Sequence, residues 1–188
     1  MFDLDETLIH CNENTNMPCD VILPIKFPYG DVIEAGINIR PYVMECLEEL
    51  SKYYEIIVFT ASHSCYANVA LDYLDPENKY IHHRLYREHC MTTEEGLYIK
   101  DLRILANRDL KDVLIVDNAV YSFGYQFDNG IPIIPFYFNK KDNELKSLIS
   151  YLKSIYHMED VREANRKLFK LHLYADTESQ EDLFARIF

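Results

Sequence analysis

Two short, wholly apolar runs most constrain the fold that this chain can adopt. They are Ile56-Ile57-Val58-Phe59 and Val113-Leu114-Ile115-Val116, and polar residues follow each run at once. A continuous apolar run of this length is typical of a strand in a parallel sheet whose two faces are both covered. Helical patterns separate the runs, so the sequence predicts an α/β fold with a doubly wound, mostly parallel sheet.

The predicted helices are recognised by apolar residues at helical spacing. Arg40-Pro41 should open the first helix, because proline is tolerated in the first turn, and Asp75-Pro76 should end the second, which starts near His63. Two further helices are predicted after residue 140. The apolar stripes of the first and of the last two helices are Val43, Cys46, Leu47 and Leu50; Leu145, Leu148, Ile149, Leu152 and Ile155; and Val161, Ala164, Leu168 and Leu171.

Residues 9–39 predict a small β insertion rather than a helix. Val21 to Phe27 is rich in β-formers, Pro28-Tyr29-Gly30-Asp31 is typical of a turn, and the residues after it can return as a strand. Neither the segment between residues 8 and 59 nor the one between residues 62 and 99 is predicted to hold a separate globular cap. We therefore expect a substrate cleft that is open to large molecules.

Composition limits the class of protein. The chain has 188 residues, which suits one domain over 1–174 followed by an acidic tail over 175–188. We expect a truncated first strand, because its motif begins at residue 3. A net charge of -12 argues against direct binding of nucleic acid. Five scattered cysteines favour a reduced, intracellular protein, nuclear or cytoplasmic. We expect a monomer without a membrane segment in this chain.

The first motif, Asp3-Leu4-Asp5-Glu6-Thr7-Leu8, predicts a metal site. Side chains alternate along an extended chain, so Asp3 and Asp5 can face one site while Leu4 turns toward the core. Carboxylate oxygens, together with water and substrate phosphate, are the ligands that Mg²⁺ prefers. By itself, such a hexapeptide is most often an ordinary acidic loop.

Three later motifs supply the other parts that phosphoryl transfer needs, at strand ends that a parallel sheet brings to one edge. Asp3 is the candidate nucleophile and Asp5 the candidate general acid and base. Thr60 offers a hydroxyl, Lys100 a cation, and Asp117 with Asn118 oxygen ligands for a metal. Each has an ordinary alternative: a threonine can cap a strand end, Lys100 can pair with Asp101 in solvent, and Asp-Asn can form a turn.

The motifs in this order resemble the haloacid dehalogenase superfamily, and more closely its FCP/SCP-type phosphatases. These are the RNA polymerase II C-terminal-domain phosphatases and their small-phosphatase-like and Dullard-like relatives. The resemblance runs from residue 2 to about residue 174. The segments that carry it are Phe2 to His10, Phe59-Thr60-Ala61-Ser62, His83 to Cys90, Tyr98-Ile99-Lys100-Asp101-Leu102, Val116-Asp117-Asn118, Lys141 to Leu145, and Asp160-Val161-Arg162 with Leu171-His172.

The resemblance implies a Mg²⁺-dependent protein phosphatase acting on phosphoserine and phosphothreonine through an aspartyl-phosphate. It implies that Asp3, the main-chain carbonyl of Asp5 and Asn118 hold the metal, with Asp117 beside them. It further implies that Thr7, Tyr66 and Arg87 contact substrate. Considered as a residue, Arg87 could equally pair with Glu88.

Two departures and two alternatives remain open. His63 stands where relatives that bind the polymerase tail carry an apolar residue, although Pro24, Ile25 and Phe27 could form an apolar pocket. The expected partner is thus a phosphorylated protein segment, with the RNA polymerase II C-terminal domain as one candidate. The alternatives are a catalytically inactive relative that serves as a binding scaffold and a phosphatase of small phosphorylated metabolites.

Overall fold

A parallel sheet forms the centre of the molecule. The computed structural model describes residues 1–12 and 17–175. Strand β4 (Ile56–Phe59) pairs in parallel with β5 (Ile81–Leu85), and β8 (Ile115–Asp117) pairs in parallel with β9 (Gly130–Pro132). Phe2 joins the two pairs because it forms parallel bridges to Val58 of β4 and Val116 of β8.

Both faces of this sheet are buried, as the apolar runs predict. In β8, Val116 packs into the main core whereas Ile115 packs into a second cluster with Phe123 and Phe127. Successive strand residues point to opposite faces, so apolar layers cover the sheet on two sides. The predicted α/β fold with a mostly parallel sheet is confirmed.

The β insertion also forms. Strands β1 (Ile9–Cys11), β2 (Val21–Lys26) and β3 (Val32–Ile39) make an antiparallel sheet in the order β1-β3-β2. Ile25 and Ile37 bury their side chains in the main core, and β2 packs against helix α2 (Ser64–Leu74). A hairpin of β6 (Met91–Thr92) and β7 (Tyr98–Ile99) follows β5. Within the described residues, neither of the two segments predicted to lack a cap holds one.

The helices follow the predicted stripes except near the end. Helices α1 (Val43–Leu50) and α3 (Glu144–Ile155) pack together through buried stripes. Helix α1 starts at Val43 rather than at Pro41, because Tyr42 has a left-handed backbone with φ of 68°. Short 3₁₀ segments, among them Leu102–Ile104 and Val120–Asn129, complete the connections.

The predicted stripe of the last helix is wrong in part. In α4 (Arg162–Leu168) the side chain of Leu168 is exposed and Asn165 is buried instead. The amide of Asn165 donates to the main-chain oxygens of Asp128 and Gly130 and accepts from the Tyr151 hydroxyl. A buried, hydrogen-bonded amide thus holds this helix where the sequence predicted an apolar side chain. Helix α5 is His172–Ala175, and the rest of the predicted acidic tail, 176–188, lies outside the described residues.

None of the helices in the described part of the chain is both long and apolar enough to cross a bilayer. All five cysteines are free thiols.

Candidate active site

The loop after Phe2 turns sharply and separates acidic from apolar side chains. The main-chain N–H of Asp3 donates to Val116, which keeps Asp3 at the end of the sheet. The carbonyl of Leu4 accepts from the N–H groups of Leu8 and Ile9, and the side chains of Leu4 and Leu8 are fully buried. Glu6 adopts a left-handed φ of 58° in this turn. Asp3 and Asp5 consequently face away from the core.

One cavity of about 260 Å³ brings the predicted groups together at the carboxyl end of the sheet. It contains Asp3, Asp5, Thr60, Arg87, Lys100, Asp117 and Asn118, together with Glu6, Ala61, Ser62, Tyr98, Ala119, Tyr121 and Ser122. Thr7 and Tyr66 do not line it. Thr7 is fully buried beneath the loop, where its hydroxyl lies 3.3 Å from the Asn118 amide, and Tyr66 reaches Asp5.

Lys100 stands between two buried carboxylates. Its ammonium donates to Asp3 and, at 2.7 Å, to Asp117. Ser122 fixes this arrangement, because its hydroxyl donates to Asp117 and its main-chain oxygen accepts from the N–H of Lys100. The alternative reading, in which Lys100 pairs with Asp101 in solvent, therefore does not apply; Asp101 pairs with Arg103 instead.

The charges at this point do not cancel. Burial alone would lower the pKa of Lys100, but the carboxylates of Asp117 and Asp3 outweigh it and hold that pKa above its usual value. Burial raises the pKa of the Asp3 carboxyl, and the Lys100 ammonium only partly opposes the rise. One ammonium shared by two buried carboxylates leaves an excess negative charge, which a bound cation would offset.

Hydroxyl groups hold the carboxyl of Asp5. Tyr66 donates to one of its oxygens and Ser62 to the other, each at 2.7 Å, and the Thr60 hydroxyl approaches the second oxygen at 3.5 Å. Burial raises the pKa of Tyr66 strongly, and the neighbouring Asp5 charge raises it further, so the phenol stays a donor. Ser62 belongs to a motif recognised in the sequence, but this role was not predicted for it.

Arg87 lies at the rim of the cavity. Its guanidinium donates to the main-chain oxygen of Ala61 at 2.6 Å and lies 2.9 Å from the His63 imidazole. It also stacks over the ring of Tyr98, 5.0 Å from the centroid. Among the ion pairs of the described residues, none joins Arg87 to Glu88. The side chain is thus placed where an anionic group in the cavity could meet it.

The oxygens around Asn118 fit a divalent cation. One terminal atom of its amide lies 3.2 Å from the carbonyl oxygen of Asp5 and 3.3 Å from Oδ2 of Asp3. If this terminal atom is the amide oxygen, its distances to those two oxygens are close to the roughly 3 Å that separates adjacent ligands of octahedral Mg²⁺. With the nitrogen there, the amide donates to the same atoms. No cluster of three His, Cys, Asp or Glu side chains with ligand geometry occurs in the described residues, so a metal bound here would need carbonyl and amide oxygens as well.

A family model described as NLI interacting factor-like phosphatase matches residues 1–162. The chain belongs to this family. It is 42% identical over 172 residues to CTD small phosphatase-like protein 3 of Caenorhabditis elegans, covering 91% of this chain and 59% of that protein. It is 35% identical over 161 residues to human carboxy-terminal domain RNA polymerase II polypeptide A small phosphatase 1, covering 86% and 60% of the two chains. The resemblance found in the motifs is confirmed.

Solved structures agree with the fold. The chain is similar to Fcp1, described as an essential RNA polymerase II CTD phosphatase, with a TM-score of 0.62 over 95% of this chain and 54% of that chain. A beryllium fluoride complex of fission yeast Fcp1 gives a TM-score of 0.59. At 19% identity, these likenesses establish the fold alone. The chain spans about three-fifths of the length of the Caenorhabditis elegans and human proteins named above.

Proposed function

We propose that this chain removes phosphate from phosphoserine and phosphothreonine in proteins, with Mg²⁺ as cofactor and Asp3 as nucleophile. The observation that carries the proposal is the convergence of Asp3, Asp5, Lys100 and Asn118 on one cavity, in a chain that belongs to a phosphatase family. The donor set described above supports Asp3, Asp5 and Asn118 as the residues that would hold the metal.

In the first step, an oxygen of Asp3 forms a bond to phosphorus while the ester bond between phosphorus and the seryl or threonyl oxygen breaks. The departing oxygen takes a proton from Asp5, whose carboxyl is held in position by Ser62 and Tyr66. Thr60 and Lys100 supply a hydroxyl and a positive charge to the phosphoryl oxygens. When bound, Mg²⁺ would neutralise charge on the nucleophile and the phosphate.

In the second step, Asp5 takes a proton from a water molecule as the water oxygen attacks phosphorus. The bond between Asp3 and phosphorus breaks, which releases inorganic phosphate and restores the Asp3 carboxylate. One residue serves as acid and then as base, so no second titratable group is needed. Asp117 keeps the Lys100 ammonium beside Asp3 through both steps.

The open form of the cleft supports a protein substrate. Within the described residues no cap domain covers the cavity, and a small metabolite would remain in contact with bulk water there. Arg87 at the rim is suited to contact an anion on an extended chain, and Tyr66 and Thr7 would act indirectly, through Asp5 and Asn118. The RNA polymerase II C-terminal domain is one candidate substrate.

A two-stage assay tests the proposal. Purified protein is first given p-nitrophenyl phosphate with Mg²⁺ or with EDTA; we expect turnover that Mg²⁺ restores after chelation. A panel of phosphoserine and phosphothreonine peptides and sugar phosphates follows. Preference for sugar phosphates would favour a metabolite phosphatase. Binding of phosphopeptides without hydrolysis, at any Mg²⁺ concentration, would favour an inactive scaffold.

A further inference from the structure

Arg40 is the most unusual buried side chain outside the cavity. It is only 1% exposed and heads the group of the largest fully buried side chains. A buried charge is costly unless it is paired and hydrogen-bonded. We therefore expect hydrogen-bond acceptors for every N–H group of the Arg40 guanidinium.

All five N–H groups of Arg40 have acceptors. Nε and Nη2 form a two-pronged pair with the carboxylate of Asp142 at 2.9 and 3.0 Å. Nη2 also donates to the main-chain oxygen of Ile134 at 2.7 Å. Nη1 donates to the main-chain oxygens of Thr7 and Glu6, at 3.1 and 3.4 Å. The guanidinium therefore connects three separate segments of the chain.

Two of these contacts fall on the loop that carries Asp3 and Asp5. Besides the side-chain bonds to Glu6 and Thr7, the main-chain N–H of Arg40 donates to the carbonyl of Leu8. Glu6 has a left-handed backbone, which is unfavourable for a residue with a Cβ atom and persists only where neighbours enforce it. Arg40 is thus one of the groups that hold this turn.

Asp142 holds the guanidinium of Arg40 in a fixed position. Its Oδ1 accepts from the main-chain N–H of Glu144, the first residue of helix α3, while both oxygens accept from Arg40. Helix α3 is anchored in the main core through its buried stripe. Asp142 and Arg40 therefore connect the loop that carries Asp3 and Asp5 to the main core and fix its position.

We propose that Arg40, supported by Asp142, is a positioning residue that sets the distance between Asp3 and Asp5 and the groups opposite them. The inference rests on the proposed phosphatase function for its kinetic consequence. Arg40 touches neither the cavity nor the reacting atoms, so it acts through the carbonyls of Glu6 and Thr7. Lysine keeps the charge but has a single nitrogen, which cannot reach Asp142 and three carbonyls together.

The test compares two arginine-to-lysine variants. In Arg40→Lys we expect kcat for p-nitrophenyl phosphate to fall by about 100-fold with little change in KM, because small misplacement of reacting groups has effects of that order. Arg84→Lys is the matched control: Arg84 is also largely buried and joins β5 to α2 through Asn68 and Asp72, and to the loop after α2 through Asn78. We expect it to lower Tm without changing kcat.

A second measurement does not depend on catalysis. Hydrogen exchange of a peptide covering residues 1–8 should speed up in Arg40→Lys and stay at the wild-type rate in Arg84→Lys. Asp142→Asn should show the same changes as Arg40→Lys in smaller size, since the amide keeps one acceptor oxygen and loses the charge.

Equal kcat for wild type and Arg40→Lys, or equal losses in both lysine variants, would overturn the inference. A wild-type protein without any phosphatase activity would instead refute the proposed function. Hydrogen exchange at residues 1–8 would then decide by itself whether Arg40 orders the loop.

Discussion

Each end of the parallel sheet has a cavity, and the larger of the two is not the one that holds the buried opposed charges. The cavity at the amino end has a volume of about 690 Å³ and is lined by apolar and aromatic side chains, among them Phe2, Leu50 and Leu114. The cavity at the carboxyl end has about 260 Å³. The smaller cavity nevertheless holds three buried ionisable groups, Asp3, Lys100 and Asp117.

This difference indicates at which end of the sheet binding energy can contribute to catalysis. At the amino end, the charged side chains that line the cavity include exposed pairs such as Arg108 with Glu55, which contribute little to stability or specificity. At the carboxyl end, burial of opposed charges is paid for in stability and creates a strong local field. We therefore expect substitutions at the carboxyl end to change rates and those at the amino end to change stability.

The largest expected effect is that of Asp3→Asn. Loss of the nucleophile should lower turnover of p-nitrophenyl phosphate by at least about 10⁴-fold. The matched control is Asp112→Asn, which makes the same change at the amino-end cavity and should leave turnover within about twofold. Circular dichroism should show both variants folded. Near-full, Mg²⁺-dependent activity in Asp3→Asn would rule the mechanism out.

The next effect in size is that of Asp5→Asn, and it should depend on the leaving group. General acid catalysis is worth about 10²–10⁴-fold when the leaving oxygen needs a proton. We expect the larger loss on phosphoserine peptides and the smaller loss on p-nitrophenyl phosphate, whose phenolate leaves unprotonated. Initial rates on both substrates measure this. Equal losses on the two would contradict the role of Asp5 as acid.

The separation of the two ends was largely predictable from sequence. The apolar runs determined the sheet, and the polar residue after each run determined which side chains meet at its edge, as Thr60 and Asp117 show. Local patterns suffice here because strand alternation and the direction of parallel strands leave few other arrangements.

Contacts between distant segments could not be predicted in this way. The bond from Ser62 to Asp5 and the bonds from Arg40 to the loop join residues whose spacing in sequence carries no periodic signal. Asn165 was missed for a related reason, since its burial depends on the carbonyls of Asp128 and Gly130 rather than on helical spacing. Polar burial depends on partners that only the folded chain brings near.

A third prediction concerns packing at the amino end. Leu50 is almost fully buried on α1 and lines the larger cavity, so Leu50→Ala should lower the free energy of unfolding by about 2–5 kcal/mol. The kcat of the folded fraction should not change. Met44→Ala on the exposed side of the same helix is the control. Urea unfolding combined with initial rates would test this, and a parallel fall in kcat would show that the two ends are coupled.

The smallest predicted effect also lies at the amino end, where Asp75 is buried beside the start of β5. Its carboxylate accepts from the main-chain N–H groups of Lys79, Tyr80 and Ile81 at 2.8–2.9 Å. Burial alone would raise the pKa of Asp75, but these donors outweigh it and hold the pKa below its usual value. The carboxylate should therefore stabilise the fold above the unfolded-state pKa of about 3.9 and lose this effect as pH falls through the folded-state pKa.

Asp75→Asn should thus lower the free energy of unfolding by about 1–3 kcal/mol at neutral pH, because the amide offers one acceptor oxygen to three donors. The gap from wild type should begin to narrow as pH falls from 5 toward 3, through the unfolded-state pKa of about 3.9, and should narrow further until pH has fallen through the lower folded-state pKa. Urea unfolding across this range measures the gap, with Glu77→Gln on the exposed side of the same loop as control. A gap in unfolding free energy that stays constant down to pH 3 would mean that the shape of the Asp75 side chain, and not its negative charge, stabilises the turn. The charges at the opposite end of the sheet would still be expected to govern the reaction rate.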